Sequence, residues 1–422
     1  MSKAEWLLPK RPRRFKVSKP KAAYAVILIM AGDGNLSDMA GLDIKEMIKG
    51  FSEDVSVLVL VDLPGVIGAL VAETTSSGLR TLDQLKKLST GDPRALAAFL
   101  ARALVSFSPE TRLALGFWGH GQGVQGDNDP GEILLPAALL RSLKRSRRRR
   151  RPEGVSAQGM LPDETSQDVL TNREAGSALA VAFARAGRKE PIDMIFSDTC
   201  LNGAVEVFAE LQEFAQVIVA SPFSVPGHGW QYELFIEWTA SEKPVTSQDW
   251  ALLAVKLYGA MYPSIDGDIQ RLRERQLAAF STKPDLVKAF AKVVKALMAM
   301  EPKAANALMT EATIRRAEQV YGNETSLDIR QLVRWLHELT ESSSLKEVCS
   351  SFLAVFDKAL VGVSGQPYQD FPMSGLSIWV PTVWSDSAGV GGYYSKLLFA
   401  KKTKWLQCLK HVFPERAFLQ AM

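Results

Sequence analysis

The sequence has 422 residues, of which 47% are hydrophobic and 23% charged, with a mean hydropathy near zero. These values are typical of a soluble globular protein that buries one large core or two smaller ones. The longest apolar run, residues 22–31, is far shorter than the roughly 20 residues that cross a bilayer, which excludes a transmembrane segment. The three cysteines form no CxxC pair and are too few for a disulfide scaffold, so we expect a reducing compartment.

The first 21 residues carry eight lysines and arginines and precede the apolar run, an order that superficially resembles a secretion signal. The run is β-branched, however, and ends in the turn-forming residues 32–35 (GDGN) rather than in a small-residue cleavage site. We therefore predict a basic N-terminal extension over 1–21, a buried strand after it and a cytoplasmic location, with secretion left open.

Residues 141–151 (RSLKRSRRRRR) hold eight further basic residues, more than the formal net charge of +4, so the rest of the chain is slightly acidic. Such a run suits an anionic partner, but it contains no aromatic residue for stacking on bases. We therefore expect no specific nucleic acid as a partner. A solvated loop is the plainer interpretation.

Short β-branched runs alternate with amphipathic segments through the first half, which predicts an α/β fold with a mostly parallel sheet. The predicted strands are 24–30, 55–61, 113–118, 192–197 and 217–220. The predicted helices between them are 43–50, 94–105, 174–186 and 203–214. Residues 122–170 break this pattern over a length that is typical of a functional or regulatory insertion.

Beyond residue 245 the pattern becomes mainly helical, with one returning strand at 376–380 that either joins the main sheet or starts a small one. We therefore predict an α/β domain over 22–244, with the insertion inside it, and a mainly helical domain over 245–422. The predicted helices of the second domain are 248–258, 284–300, 303–319, 329–341 and 344–360.

Two predicted strand ends carry nucleophilic chemistry. One strand runs into His120-Gly121, and another runs into Asp198-Thr199-Cys200. Loops after parallel strands converge at one edge of a sheet, so His120 and Cys200 form a candidate dyad in which histidine activates the thiol or protonates a leaving amine. Gly121 lacks a Cβ, and its N–H together with that of Cys200 forms a candidate oxyanion hole.

Five ordered blocks resemble the clostripain family of cysteine peptidases, in the caspase-like clan, over roughly residues 22–385. They are AVILIMAGDGNLSD, GFWGHGQG, FSDTCLNGAVEVFAEL, VIVASPFSVPGHGWQYELF and GLSIWVP. The resemblance implies a caspase-like three-layer α/β/α sandwich, a cysteine endopeptidase activity and a catalytic pair of His120 and Cys200.

Carried over by position, Asp198 matches an acidic residue that binds a basic side chain before the scissile bond, which implies cleavage after Arg or Lys. The alternative is that Asp198 only orients the strand end. Ser221, His228 and Trp230 fall in the block that borders the substrate cleft. His228 stands where the family often has an acidic residue, so one carboxylate would have to suffice.

The resemblance also gives the arginine run a role, because members of the family are activated by cleavage between the histidine and cysteine strands. Self-cleavage sites are therefore predicted at Arg145, Arg147, Arg148, Arg149, Arg150 and Arg151. The expected partner is a protein or peptide substrate, and the expected state is a monomer, intact or self-cleaved into two fragments. No cofactor is expected. The family leaves calcium open, but no EF-hand spacing supports a metal site. The alternative function is a catalytically silent scaffold that binds partners through the cleft and the basic loop.

Overall fold

The described residues form a fold around a nine-stranded sheet. The computed structural model describes residues 12–64, 68–85, 89–123, 159–163, 168–262, 276–314, 326–365, 373–380 and 393–413. The strands are β1 (Tyr24–Ala31), β2 (Val55–Asp62), β3 (Ala69–Thr75), β4 (Gly78–Leu85), β5 (Arg112–Trp118), β6 (Gly159–Asp163), β7 (Asp168–Thr171), β8 (Ile192–Asp198), β9 (Ala215–Ala220), β10 (Ala278–Ser281), β11 (Ser326–Asp328), β12 (Leu360–Val363) and β13 (Ser377–Trp379).

The main sheet has the strand order β12-β10-β9-β8-β5-β1-β2-β3-β4. Its five central strands, from β9 to β2, are mutually parallel, and antiparallel strands extend it on both sides. The remaining strands form two small sheets, β6-β7 and β11-β13. All residues of β1 and β2 are buried, as expected for parallel strands that are covered on both faces.

Helices cover both faces of the sheet. They are α1 (Ser37–Lys49), α2 (Pro93–Leu104), α3 (Asn172–Ala186), α4 (Val205–Leu211), α5 (Tyr232–Glu242), α6 (Ser247–Met261), α7 (Leu286–Met298), α8 (Pro302–Ile314), α9 (Ile329–Leu339), α10 (Ser343–Ala359), α11 (Leu398–Thr403) and α12 (Trp405–Val412). Alternate residues of β1 enter two cores: one face packs on α1, α5 and α6, and the other on α2, α3, α4 and the later helices. This is the expected three-layer sandwich. None of the helices in the described ranges is long and apolar enough to span a membrane.

The five predicted parallel strands are confirmed as β1, β2, β5, β8 and β9, but the segment after residue 245 contributes more strands than the one predicted there. β10 and β12 extend the main sheet, whereas β13 falls within the predicted strand at 376–380 and pairs with β11 in a separate small sheet. Strands from both sides of residue 245 therefore lie in one sheet. The division of the chain into two domains at this residue stays a prediction.

The basic N-terminal stretch packs on the body of the protein from Phe15 onward. The Phe15 ring lies 5.8 Å from the Phe99 ring, and the Arg102 guanidinium lies 3.9 Å from its centroid. The Phe15 N–H donates to the Ser106 hydroxyl at 2.8 Å. From this point on, the extension is part of the fold.

Two glycines test the packing around the central strands. At Gly116 in β5, an added Cβ would lie 2.2 Å from the Phe196 ring and 2.5 Å from Leu28, whereas at Gly41 in α1 it would meet open space. We expect Gly116→Ala to lower the free energy of unfolding by about 1–3 kcal/mol, because the core is already filled. Gly41→Ala should raise it by about 0.5–1 kcal/mol, because alanine favours the helix. Equilibrium denaturant unfolding checks both values, and an equal response to both substitutions would contradict this packing.

Candidate active site at the ends of two parallel strands

The site is set by the pairing of β5 with β8. Trp118, the last residue of β5, lies opposite Asp198, the last residue of β8, and the Gly119 N–H donates to the Asp198 carbonyl oxygen at 3.2 Å. His120 and Cys200 each follow two residues after this pair. The two predicted site residues therefore leave neighbouring strands at the same level and at the same edge of the sheet.

The two loops approach each other so closely that position 121 accepts only glycine. A Cβ on Gly121 would lie 2.2 Å from the Cys200 carbonyl oxygen and 2.8 Å from the Thr199 hydroxyl oxygen. Main-chain atoms cannot move away as a flexible side chain can, so any larger residue would push the loops apart. The oxyanion hole suggested for the N–H groups of Gly121 and Cys200 stays a prediction.

The loop after β8 contains Cys200 and is called the cysteine loop below. It is hydrogen-bonded to the chain that follows β9. The Leu201 N–H donates to the Phe223 carbonyl oxygen at 2.9 Å, and Leu201 itself adopts a φ of 62°. The half-buried Cys200 sulfur accepts the Val225 N–H at 3.2 Å. This contact positions the Cys200 thiol beside the main chain of the segment that follows β9.

His120 is held at both its ring and its main chain. Its Nε2 lies 2.6 Å from the Asn35 Oδ1, and its carbonyl oxygen accepts the Leu161 N–H at 3.0 Å. Burial lowers the pKa of His120 below its usual value. The ring is therefore neutral at neutral pH, as a proton acceptor needs to be.

Asp198 is buried behind the loop that follows β9. Its Oδ2 accepts the Trp230 N–H at 3.1 Å and the Tyr232 hydroxyl at 2.9 Å. Gly229 has a φ of 52°, and a Cβ there would lie 2.6 Å from the same oxygen. The carboxylate thus anchors the Pro-Gly-x-Gly-Trp loop, a contact that agrees with an orienting role. Its role in binding a basic side chain stays a prediction.

A second buried carboxyl group, that of Asp43, lies next to β5, the strand that leads to His120. The Trp118 indole N–H donates to the Asp43 Oδ2 at 2.5 Å. Burial, reinforced by the nearby charge of Asp198, raises the pKa of Asp43 to about 8. Burial also raises the pKa of Asp198 to about 6, although its hydrogen bonds to Trp230 and Tyr232 act in the opposite direction. Asp43 is therefore mostly protonated at neutral pH, where Asp198 is mostly ionised.

The other predicted site residues have different surroundings. Trp230 is 3% exposed and its ring stacks on Phe196 at 4.6 Å. Ser221 is fully buried, and its hydroxyl bonds to both main-chain groups of Phe223. His228 is exposed. Roles for these three in substrate binding stay predictions, and the predicted cleavage sites in 145–151 lie outside the described residues.

Sequence reasoning missed Asn35 as a site residue, although it recognised the turn that contains it. The signal was available, because β1 is the sheet neighbour of β5 and Met30 pairs with Trp118. The rule that located His120 and Cys200, that loops after parallel strands converge, also covers the turn after β1. What the rule required was the strand order, which the spacing of the runs does not supply.

The raised pKa of Asp43 predicts that the free energy of unfolding depends on pH. Between pH 4 and 8 the folded state binds a proton at Asp43 that the unfolded state has released, so this group lowers the free energy of unfolding as pH rises towards 8. Asp43→Asn keeps an oxygen for the Trp118 indole and removes the titration. We expect the stability of the variant relative to wild type to increase from pH 5 to pH 8, measured by denaturant unfolding. A difference that stays constant with pH would contradict the assignment.

One family model matches this chain. The model described as the clostripain family matches residues 149–411, a range that includes Cys200 but not His120. Among curated proteins, none matches the chain.

Solved structures share the fold at low sequence identity. One is a secreted C11 cysteine protease from Bacteroides thetaiotaomicron in complex with an irreversible peptide inhibitor. It has a TM-score of 0.62 and 16% identity, and the match covers 91% of this chain and 99% of that one. Another is an inactive zymogen C11 protease from Parabacteroides distasonis, with a TM-score of 0.61, 17% identity and coverage of 91% and 98%.

Proposed function

Because this chain belongs to the clostripain family of cysteine peptidases, we propose that it hydrolyses peptide bonds with Cys200 as the nucleophile and His120 as its acid–base partner. The observation that supports this pair is their common position, two residues beyond the paired Trp118 and Asp198. Both reacting groups in this proposal are side chains of this chain. That no cofactor takes part stays a prediction, and the resemblance leaves calcium open.

The proposed reaction has two halves. His120 takes the thiol proton, and the Cys200 sulfur attacks the peptide carbonyl carbon, whose oxygen becomes an anion facing the main-chain N–H groups of Gly121 and Cys200. Collapse of this intermediate breaks the C–N bond, and protonated His120 gives its proton to the leaving amine. Water activated by His120 then hydrolyses the thioester and restores the thiol.

Substitution of each member of the pair tests this assignment. Cys200→Ala should abolish turnover of a fluorogenic peptide, and His120→Ala should lower kcat by about 100- to 10,000-fold, because proton transfer loses its partner. Cys349→Ala and Cys408→Ala are matched controls: both thiols are buried in the C-terminal part of the chain, and burial raises the pKa of each to about 12. Full turnover by Cys200→Ala would contradict the proposal, and a wild-type chain that binds peptides without cutting them would favour the scaffold function.

We also propose a preference for Arg or Lys before the scissile bond, with Asp198 as the recognising carboxylate. A desolvated carboxylate binds a guanidinium through charge-assisted hydrogen bonds, and Asp198 is only 4% exposed next to the cysteine loop. Its two bonds to the loop use Oδ2. The exposed His228 carries no negative charge, so Asp198 supplies the recognition.

Two substitutions separate recognition from loop anchoring. Asp198→Asn keeps acceptors for Trp230 and Tyr232 but removes the charge. We expect it to lower kcat/KM for an arginyl substrate by about 10- to 100-fold relative to a matched uncharged substrate. Tyr232→Phe removes one anchoring bond and leaves the carboxylate, so it should affect both substrates equally. An equal loss for both substrates in Asp198→Asn would show that Asp198 only anchors the loop.

The intact chain is, in this proposal, a zymogen that cuts itself within residues 145–151. Such a cut falls in the connection between β5 and β8, which are neighbours in the sheet. The two fragments would stay joined, because β5 pairs with β8 and α2 packs on α3 across the cut. Separation would expose two buried sheet edges.

Changing all six predicted arginines, Arg145 and Arg147 to Arg151, to glutamine should keep the chain intact. Wild type incubated under reducing conditions should give two fragments that migrate together in gel filtration and separate only in denaturant. Intact-mass spectrometry locates the cut, and Cys200→Ala is the control that stays whole. Unchanged cleavage of the glutamine variant would contradict self-processing at these sites.

The proposed substrate is a protein or peptide, and the proposed state is a monomer of one chain or of two associated fragments. A cytoplasmic location stays a prediction that the comparisons do not support, since a structure similar to this chain is described as that of a secreted protease.

A further inference from the structure

We propose that Asn35 is a positioning residue that fixes the tautomer of His120, so that Nδ1 is the nitrogen that exchanges protons during the reaction. This inference rests on the proposed role of His120. The contact that carries it is the 2.6 Å distance between the Asn35 Oδ1 and the His120 Nε2.

The sheet explains why Asn35 reaches the ring. β1 lies beside β5 on the side away from β8, and Met30 pairs with Trp118. The turn after β1 therefore leaves the sheet at the same edge as the loop after β5, which contains His120 and is called the histidine loop below. His120 is flanked by two loops, with Asn35 on one side and Cys200 on the other.

The amide oxygen can only accept a hydrogen bond, so the ring nitrogen facing it has to carry a proton. A neutral imidazole has one N–H group, which this contact assigns to Nε2. Nδ1 is then left with its lone pair to accept the Cys200 proton. After that transfer the ring is cationic, and Nδ1 holds the proton that goes to the leaving amine.

The main chain of His120 is held by a separate contact, so Asn35 acts only on the imidazole ring. The His120 carbonyl oxygen is bound by the Leu161 N–H at 3.0 Å, and Leu161 is fully buried with a φ of 57°. Asn35 itself is exposed in a turn. Its substitution therefore leaves the fold and the backbone of the histidine loop in place, and water replaces the lost acceptor without selecting one tautomer.

Kinetics of three variants test the proposal. Asn35→Ala should lower kcat by about 10- to 100-fold with little change in KM, because substrate contacts stay in place. Asn35→Asp should retain most of the turnover, because a carboxylate oxygen also accepts from Nε2, and should move the acidic limb of the kcat/KM profile to higher pH, because its charge stabilises the imidazolium. Asp38→Ala, an exposed neighbour at the start of α1, is the control that keeps wild-type values.

A structural role for Asn35 would not produce this pattern. Loss of activity in both Asn35 variants together with a lower unfolding midpoint would overturn the proposal, as would wild-type kcat and an unshifted pH profile in both. Cys200→Ala and His120→Ala separate the two levels of inference. If these two variants lose turnover as expected while Asn35→Ala keeps the wild-type kcat, the tautomer proposal fails and the proposed function stands.

The tautomer can also be observed directly. The chain has four histidines, so a long-range ¹H–¹⁵N spectrum of the uncut Cys200→Ala protein labelled in histidine is simple enough to read. His120→Gln identifies the resonances that belong to His120. We expect an Nε2–H tautomer that becomes a mixture in Asn35→Ala. An Nδ1–H tautomer in the parent protein would overturn the proposal.

Discussion

The register between β5 and β8 is the constraint on which the site depends. Trp118 and Asp198 are paired, and parallel strands keep paired residues on the same side of the sheet. A slip of one residue would direct the following loops to opposite faces. The contact at Gly121, where even a methyl group would collide with the Cys200 carbonyl, fixes the spacing between the two loops. Register and spacing together bring a histidine and a cysteine 80 residues apart in sequence to one edge.

Buried carboxyl groups connect this edge to the helices beneath it. Asp43 on α1 accepts the Trp118 indole N–H just before the histidine loop, and Asp198 holds the Trp230 loop beside the cysteine. One turn further along α1, the Glu46 carboxylate accepts the Tyr232 N–H at 2.9 Å, at the start of α5. One helix thus contacts both the strand that leads to His120 and the chain that follows β9. The cost is a buried carboxyl, Asp43, whose pKa is raised to about 8 by burial.

The sequence predicted the parts of the fold that depend on strong local patterns. β1 and β2 are continuous apolar runs because helices cover both of their faces, and such runs are visible in a single sequence. β4 was missed because it is an edge strand with mostly polar, partly exposed residues. β10 and β12 were missed because each has only four residues, and β12 follows directly on a helix.

The same division holds for the site. Chemistry next to a strand end made His120 and Cys200 candidates, because residue type and position both carry a signal, and the family resemblance added Asp198. The contact between Asn35 and His120 depends on β1 lying beside β5, a tertiary fact that neither segment contains. The burial of Ser221 behind its own loop likewise follows from the turn that it closes with Phe223, and the residue type alone does not reveal it.

Covalent labelling of the nucleophile tests the central claim most directly. The probe is a peptidyl acyloxymethyl ketone with arginine next to the reactive group, which alkylates an activated thiol. The proposed chemistry predicts one adduct per chain, located on Cys200 by peptide mapping, formed much more slowly in His120→Ala and absent from Cys200→Ala. An adduct on Cys349 or Cys408, or an equal labelling rate with and without His120, would contradict it.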